Sequence, residues 1–274
     1  IMFNAMKEVF KLKIVLFFAL SLFILLVANN NVYSQDPPPW EGQQWNFVVI
    51  LTDDQRFDTL WAMETVQREL IEKGINFENA FVNTPLCCPS RSSFLSGGFY
   101  SHNTNVKTNT RLNGGAANFN DANTISTTLQ RNGYKTAIVG KYLNGYEGFA
   151  PYIPPGWDLF AISTMMKNWT DYTFVIGSST YDAPGVGTES RYTQYLTYFE
   201  RDRALEFIED NWQDPFFLLL TTHAPHGPAT PAEGDEELFS DYSYRERGWG
   251  EENLDDKPLW LRENDESFTD ELIA

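Results

Sequence analysis

The chain has 274 residues, 42% of them hydrophobic, with a mean hydropathy of −0.36, which describes a globular chain long enough to bury a substantial core. General disorder, collagen-like sequence and a polytopic membrane protein are excluded. With 37 acidic against 20 basic residues the formal charge is −17, so no basic stripe exists to neutralise phosphates and nucleic acid is not an expected partner.

In chain order, the first feature is a leader. Lys7, Lys11 and Lys13 precede an apolar stretch over 14–28, a polar Asn29-Asn30-Asn31 run and small Ser34. These are the three regions of a secretory signal, so residues 1–34 are expected to be a cleaved signal peptide and the protein exported to periplasm, cell surface or medium. The apolar stretch is shorter than the roughly 20 residues of a spanning helix, so no stable membrane insertion is expected after cleavage. Residues 35–44, with Pro37-Pro38-Pro39, read as a spacer, and 45–274 as the folded unit.

Residues 45–51 (WNFVVIL) form a continuous β-rich run, as for a strand buried on both faces. Residues 60–73 have helical spacing stopped by Gly74, and 77–82 are predicted as a short strand. Helices are expected over 90–96 and 124–132, and a second buried strand over 134–139. Residues 172–176 predict a hairpin strand, 190–212 the longest helix, with Arg/Glu pairs at helical spacing, and 215–222 the third buried strand. This alternation predicts an α/β fold with a mainly parallel sheet flanked by helices.

Each of the three buried strands ends in residues able to do chemistry: Asp53-Asp54, then Gly140-Lys141, then His223-Ala224-Pro225-His226. Open α/β sheets bind ligands outside the carboxyl ends of their strands, so parallel neighbours would gather these groups on one rim. Taken singly, Asp53-Asp54 suits a divalent cation, or a solvated turn or helix cap. With three histidines and two cysteines a His/Cys zinc cage is not available, so any metal should be hard and oxygen-bound. His226 sits in a rigid turn-rich loop, whereas His223, nearer the strand, suits a packed or capping role, and His102 says little alone.

The only cysteines, Cys87 and Cys88, are adjacent, a spacing that rarely satisfies disulfide geometry. They open the stretch Cys87-Cys88-Pro89-Ser90-Arg91, followed by a helix. Residue 87 thus falls at a helix start, where exposed N–H groups favour an anion, with Arg91 one turn on. Physics alone suggests a reactive thiol beside an oxyanion pocket.

This stretch resembles the Cys-x-Pro-Ser-Arg signature of type I sulfatases, in which the first cysteine is oxidised to formylglycine. Leu51-Thr52-Asp53-Asp54-Gln55, Gly140-Lys141-Tyr142-Leu143-Asn144 and Ala224-Pro225-His226-Gly227-Pro228 agree with that family. With Pro154-Pro155-Gly156-Trp157 they are most similar to the N-acetylglucosamine-6-sulfatase and heparan 6-O-endosulfatase branch. The resemblance implies an alkaline-phosphatase-like sulfatase fold. Asp53, Asp54 and modified Cys87 are implied as ligands of one Ca²⁺, Arg91 as the holder of the formylglycine hydrate, and Lys141 and His226 as sulfate-binding residues that assist the leaving alcohol. In the implied mechanism one hydroxyl of the hydrated aldehyde attacks sulfur, and the other later expels sulfate. A formylglycine-generating maturation enzyme and a sulfated carbohydrate, glucosamine-6-sulfate-like as in glycosaminoglycans, are the implied partners.

Some features depart from the family. No Ser/Thr-Asp-Asn/His-Gly stretch follows His226, so the second pair of calcium ligands and a further lysine are missing, and Leu143 stands where many sulfatases have histidine. The expectation is therefore an N-terminal, incomplete catalytic domain, inactive by itself. The segment 233–274, with 15 acidic and 4 basic residues, reads as solvated surface. Two other readings stay open: a phosphate or phosphonate ester hydrolase on the same scaffold, or an inactive truncated product that only binds sulfated glycan.

Overall fold

The computed structural model describes residues 42–98 and 101–242, with no account of the side chains of Phe57, Ser101 and His102. The proposed signal segment 1–34, most of the spacer and the acidic stretch beyond residue 242 lie outside the described residues. Among the described residues no helix is long and apolar enough to cross a membrane.

Nine elements carry the argument. They are β1 (Phe47–Leu51), α1 (Cys87–Ser96), α2 (Ile125–Arg131), β2 (Lys135–Gly140), β3 (Leu159–Asn168), β4 (Asp171–Gly177), β5 (Thr188–Tyr192), α3 (Leu196–Asn211) and β6 (Phe216–Thr221). The six strands form one sheet in the order β1-β6-β2-β3-β4-β5. The pairs β1·β6, β6·β2 and β2·β3 are parallel, whereas β3·β4 and β4·β5 are antiparallel. The parallel half matches the sequence expectation and the antiparallel half extends it.

Side-chain alternation along the strands divides the core into two layers. Ile138, Phe160, Ile162, Phe217 and Leu219 face one side, where they pack with Cys88 and Leu95 of α1 and with Trp157. Ala137, Val139, Ala161, Phe174, Phe216 and Leu218 face the other and meet Leu196, Phe199, Ala204 and Phe207 of α3. Each fully buried Phe, Leu or Ile contributes about 1.5–3 kcal/mol relative to exposure. This two-sided burial explains why β2 and β6 read as unbroken apolar runs.

Several local expectations are corrected. Among the described residues β1 pairs on one side only, with β6, and Val48 is 48% and Ile50 56% exposed there, so its apolar run is not buried on both faces among them. Residues 77–82 form no strand, and Phe81 is 90% exposed. The helical pattern over 60–73 becomes three short pieces: a 3₁₀ turn Phe57–Ala62, an α-turn Glu64–Val66 and a π-turn Gln67–Ile71. The long helix expected over 190–212 starts only at Leu196. Residues 188–192 instead pair antiparallel with β4, where Arg191 makes a forked ion pair with Asp171 at 2.5 Å on both arms. α2 is capped at its start: the Thr124 hydroxyl accepts from the Thr127 N–H, and the Thr124 N–H donates to the Thr127 hydroxyl.

Candidate active site

β1, β6 and β2 are parallel neighbours, with Leu51 in register with Thr221 and Thr221 with Gly140, so their carboxyl ends finish together. The residues that follow each strand therefore meet on one rim. Gly140 makes the meeting possible. Its φ is +116°, and a Cβ there would lie 2.0 Å from the Thr221 carbonyl oxygen. The chain turns at that point, and the Lys141 N–H donates to the same carbonyl at 2.8 Å.

Asp53 is buried at 3% exposure, and its N–H donates to the Ala224 carbonyl at 3.2 Å, tying the β1 end to the loop after β6. Its carboxylate accepts from Arg91 Nη2 at 3.2 Å through one oxygen and from Lys141 Nζ through the other. Burial works to raise the Asp53 carboxyl, but the Lys141 hydrogen bond and the Arg91 charge outweigh it and hold the group below its usual range. Asp54 is exposed with φ +59°, a left-handed conformation that aspartate tolerates better than most residues.

Cys87 is the first residue of α1, and the preceding Leu86 offers no side-chain cap. Pro89 suits the first turn because its missing N–H is not required there. One turn on, Arg91 is 6% exposed and reaches back under the strand ends, where Nη1 donates to the Lys141 carbonyl at 3.0 Å and to the Thr221 hydroxyl. Lys141 Nζ stands 3.7 Å from Cys87 Sγ.

The two thiols differ. Cys88 is fully buried: its N–H donates to Asn109 Oδ1 at 2.8 Å, its sulfur accepts from the Asn144 N–H at 3.0 Å, and its thiol lies 3.2 Å from Asn144 Oδ1. Burial pushes its pKa up to about 11, so it is a protonated packing group near neutrality. Cys87 is partly exposed and faces the rim.

The side-chain ligand atoms of Asp53, Asp54 and Cys87 all lie within 4.8 Å of one another. Two carboxylates and one further donor at that spacing fit a hard divalent cation better with oxygen than with sulfur at position 87, because Ca²⁺ takes oxygen ligands. His226 approaches from the other side, with Nε2 3.5 Å from Asp54 Oδ2 and Nδ1 donating to the Gly227 carbonyl at 2.7 Å.

All six sequence-derived site residues, Asp53, Asp54, Cys87, Arg91, Lys141 and His226, thus lie on this rim. Sequence reasoning missed Thr221 and Asn144, which fix Arg91 and Cys88. Asn144 sits inside a motif already singled out, but Thr221 carries no local signal. His223, whose role the sequence leaves open, is packed: its ring lies between Ser163 and Glu200.

The parallel strand ends thus bring Arg91, Lys141 and the start of α1 against the Asp53 and Asp54 carboxylates. The sulfatase family model matches residues 45–267, and the chain belongs to the sulfatase family. It is 34% identical over 209 residues to the human N-acetylglucosamine-6-sulfatase, covering 71% of this chain and 36% of that protein. It is 32% identical over 216 residues to the Drosophila melanogaster extracellular sulfatase SULF-1 homolog, covering 76% of this chain and 19% of that protein. Among solved structures it resembles BT4656 in complex with its substrate D-glucosamine-2-N,6-O-disulfate. That likeness has a TM-score of 0.59 and 25% identity over 76% of this chain and 40% of that one. The fold is accordingly the alkaline-phosphatase-like fold of sulfatases, and the chain spans about a third of the length of the human relative.

Proposed function

We propose that the protein is a sulfuric ester hydrolase that removes sulfate from a glucosamine-6-sulfate-like sugar. The carrying observation is the convergence of Asp53, Asp54 and Cys87 within 4.8 Å, with Lys141 Nζ 3.7 Å from the Cys87 sulfur. The likeness to N-acetylglucosamine-6-sulfatase and to a glucosamine disulfate complex supports the substrate class.

In this reading a maturation enzyme converts Cys87 to formylglycine, and Asp53, Asp54 and residue 87 hold one calcium ion. The ion and the hydrated aldehyde would supply charge stabilisation and a nucleophilic hydroxyl respectively. The chain's own residues do the rest. Arg91, locked by Asp53, Thr221 and the Lys141 carbonyl, fixes the floor of the site and the position of the α1 start. Lys141 puts an ammonium beside residue 87, where negative charge on a transferring sulfuryl group grows. His226, with its Nδ1–H committed to the Gly227 carbonyl, turns Nε2 toward the rim, and in the doubly protonated imidazolium form it hands the Nε2 proton to the departing sugar oxygen and is left neutral.

Residues 1–34 are proposed as the export signal, consistent with an extracellular relative. The test is sulfate release by the complete, matured protein from N-acetylglucosamine 6-sulfate, compared with a phosphate monoester. Faster turnover of the sulfate ester is expected. Preference for the phosphate ester would overturn the assignment.

A further inference from the structure

Glu200 sits in the first half of α3, among the Arg/Glu pairs that mark this helix in the sequence, yet it has 0% exposure. Oε1 bonds His223 Nδ1 at 2.6 Å, and Oε2 has no hydrogen-bond partner among the described residues. Burial pushes its carboxyl up, and the bond to His223 opposes that. Burying such a group is costly, and an apolar residue of similar size would serve packing as well or better. The far side of the His223 ring is held too, with Nε2 2.7 Å from Ser163 Oγ at the end of β3's parallel pairing. Both ring nitrogens are therefore fixed, on two different elements.

What the fixed ring controls is the loop it belongs to. The His223 carbonyl accepts the His226 N–H at 3.0 Å, setting the turn that carries His226. The next carbonyl, Ala224, accepts the Asp53 N–H at 3.2 Å and the Thr222 hydroxyl at 2.9 Å. Glu200 also underlies the start of Lys141, because its Oε1 lies 3.1 Å from where a Cβ on Gly140 would stand. One buried carboxylate thus sits behind three rim residues without reaching the rim.

We propose that Glu200, acting through His223 and Ser163, is a positioning residue that sets the 222–228 loop and with it Asp53 and His226 for ester hydrolysis. The catalytic half of this statement rests on the proposed sulfatase activity, whereas the positioning half does not.

The test uses Glu200→Met, which removes the acceptor at similar volume, and Glu200→Gln, whose amide oxygen can still accept from Nδ1. In the complete protein, amide hydrogen exchange at Asp53 and His226 is expected to quicken in Glu200→Met while the β6 amides stay protected, and to return toward wild type in Glu200→Gln. On N-acetylglucosamine 6-sulfate, kcat is expected to fall about 100-fold in Glu200→Met with KM little changed, since small displacements of reacting groups cost that order. Glu200→Gln should recover most of it. Wild-type exchange at Asp53 and His226 in a folded Glu200→Met variant would overturn the proposal, as would wild-type kcat. Should Glu200→Met not fold, Ser163→Ala, which frees the other side of the ring, is expected to move exchange and kcat in the same directions. Unchanged values there would count against the proposal equally. A wild-type protein that releases no sulfate would sink the sulfatase reading, and the exchange data would still decide whether Glu200 positions the loop.

Discussion

Lys141 Nζ stands 3.7 Å from Cys87 Sγ, although 54 residues separate them, and the same ammonium also bonds the Asp53 carboxylate. One side chain therefore links the helix start to the β1 end. Lys141→Met should lower kcat for sulfate release by about 100-fold or more, the usual cost of losing a donor aimed at developing charge. Steady-state kinetics of the matured protein check this, and a kcat within threefold of wild type would rule out the role.

The carboxylate pair predicts a metal dependence. Treatment with a chelator should abolish activity and added calcium should restore it. Asp54→Asn should weaken calcium binding, followed by calorimetry, by at least about 10-fold, the lower end of what even indirect ligand changes cost. Unaltered affinity would remove Asp54 from the ligand set.

The two cysteines should separate cleanly under alkylation. In protein that has not been matured, Cys87 is accessible, whereas Cys88 is buried with a pKa of about 11. A thiol whose folded pKa is raised stays protonated at pH 8, so iodoacetamide should label Cys87 and spare Cys88 until the chain unfolds. Peptide mapping reads the outcome. Cys88→Ala should keep activity while lowering stability by about 1–3 kcal/mol, because the Asn144 N–H loses its acceptor.

Gly140→Ala combines a left-handed φ with a Cβ placed 2.0 Å from a backbone oxygen. The backbone at the strand end must shift, and the expected cost exceeds about 2 kcal/mol, measured as a lowered denaturation midpoint. Wild-type stability would mean the β2 end is far more pliable than described.

Much of this architecture could be read from the chain itself. The buried runs ending at Gly140 and Thr221 identified two central strands, and the polar residues after them marked the rim, because strand burial and strand-end chemistry are both local signals. That the six candidate residues gather on one rim was legible for that reason and because Cys87 to Arg91 forms a compact motif. What stayed hidden depends on partners distant in sequence. Glu200 looks like its exposed neighbour Arg201, and only the fold reveals that it faces His223. The 188–192 segment shares the helix-like charge spacing of α3, but pairing with β4 and the Arg191–Asp171 fork decides it as a strand. β1 reads as a two-sided buried strand, and that it pairs only with β6 among the described residues follows from topology, to which a single run of apolar residues is blind.

Residue 87 is expected to act as an oxidised, sulfur-free side chain. Mass spectrometry of the peptide containing residues 87–91, taken from catalytically active protein, tests it most directly. An aldehyde or its hydrate at position 87, with Cys88 still a thiol, is the expected result. An intact Cys87 thiol in protein that releases sulfate at full rate would contradict the account.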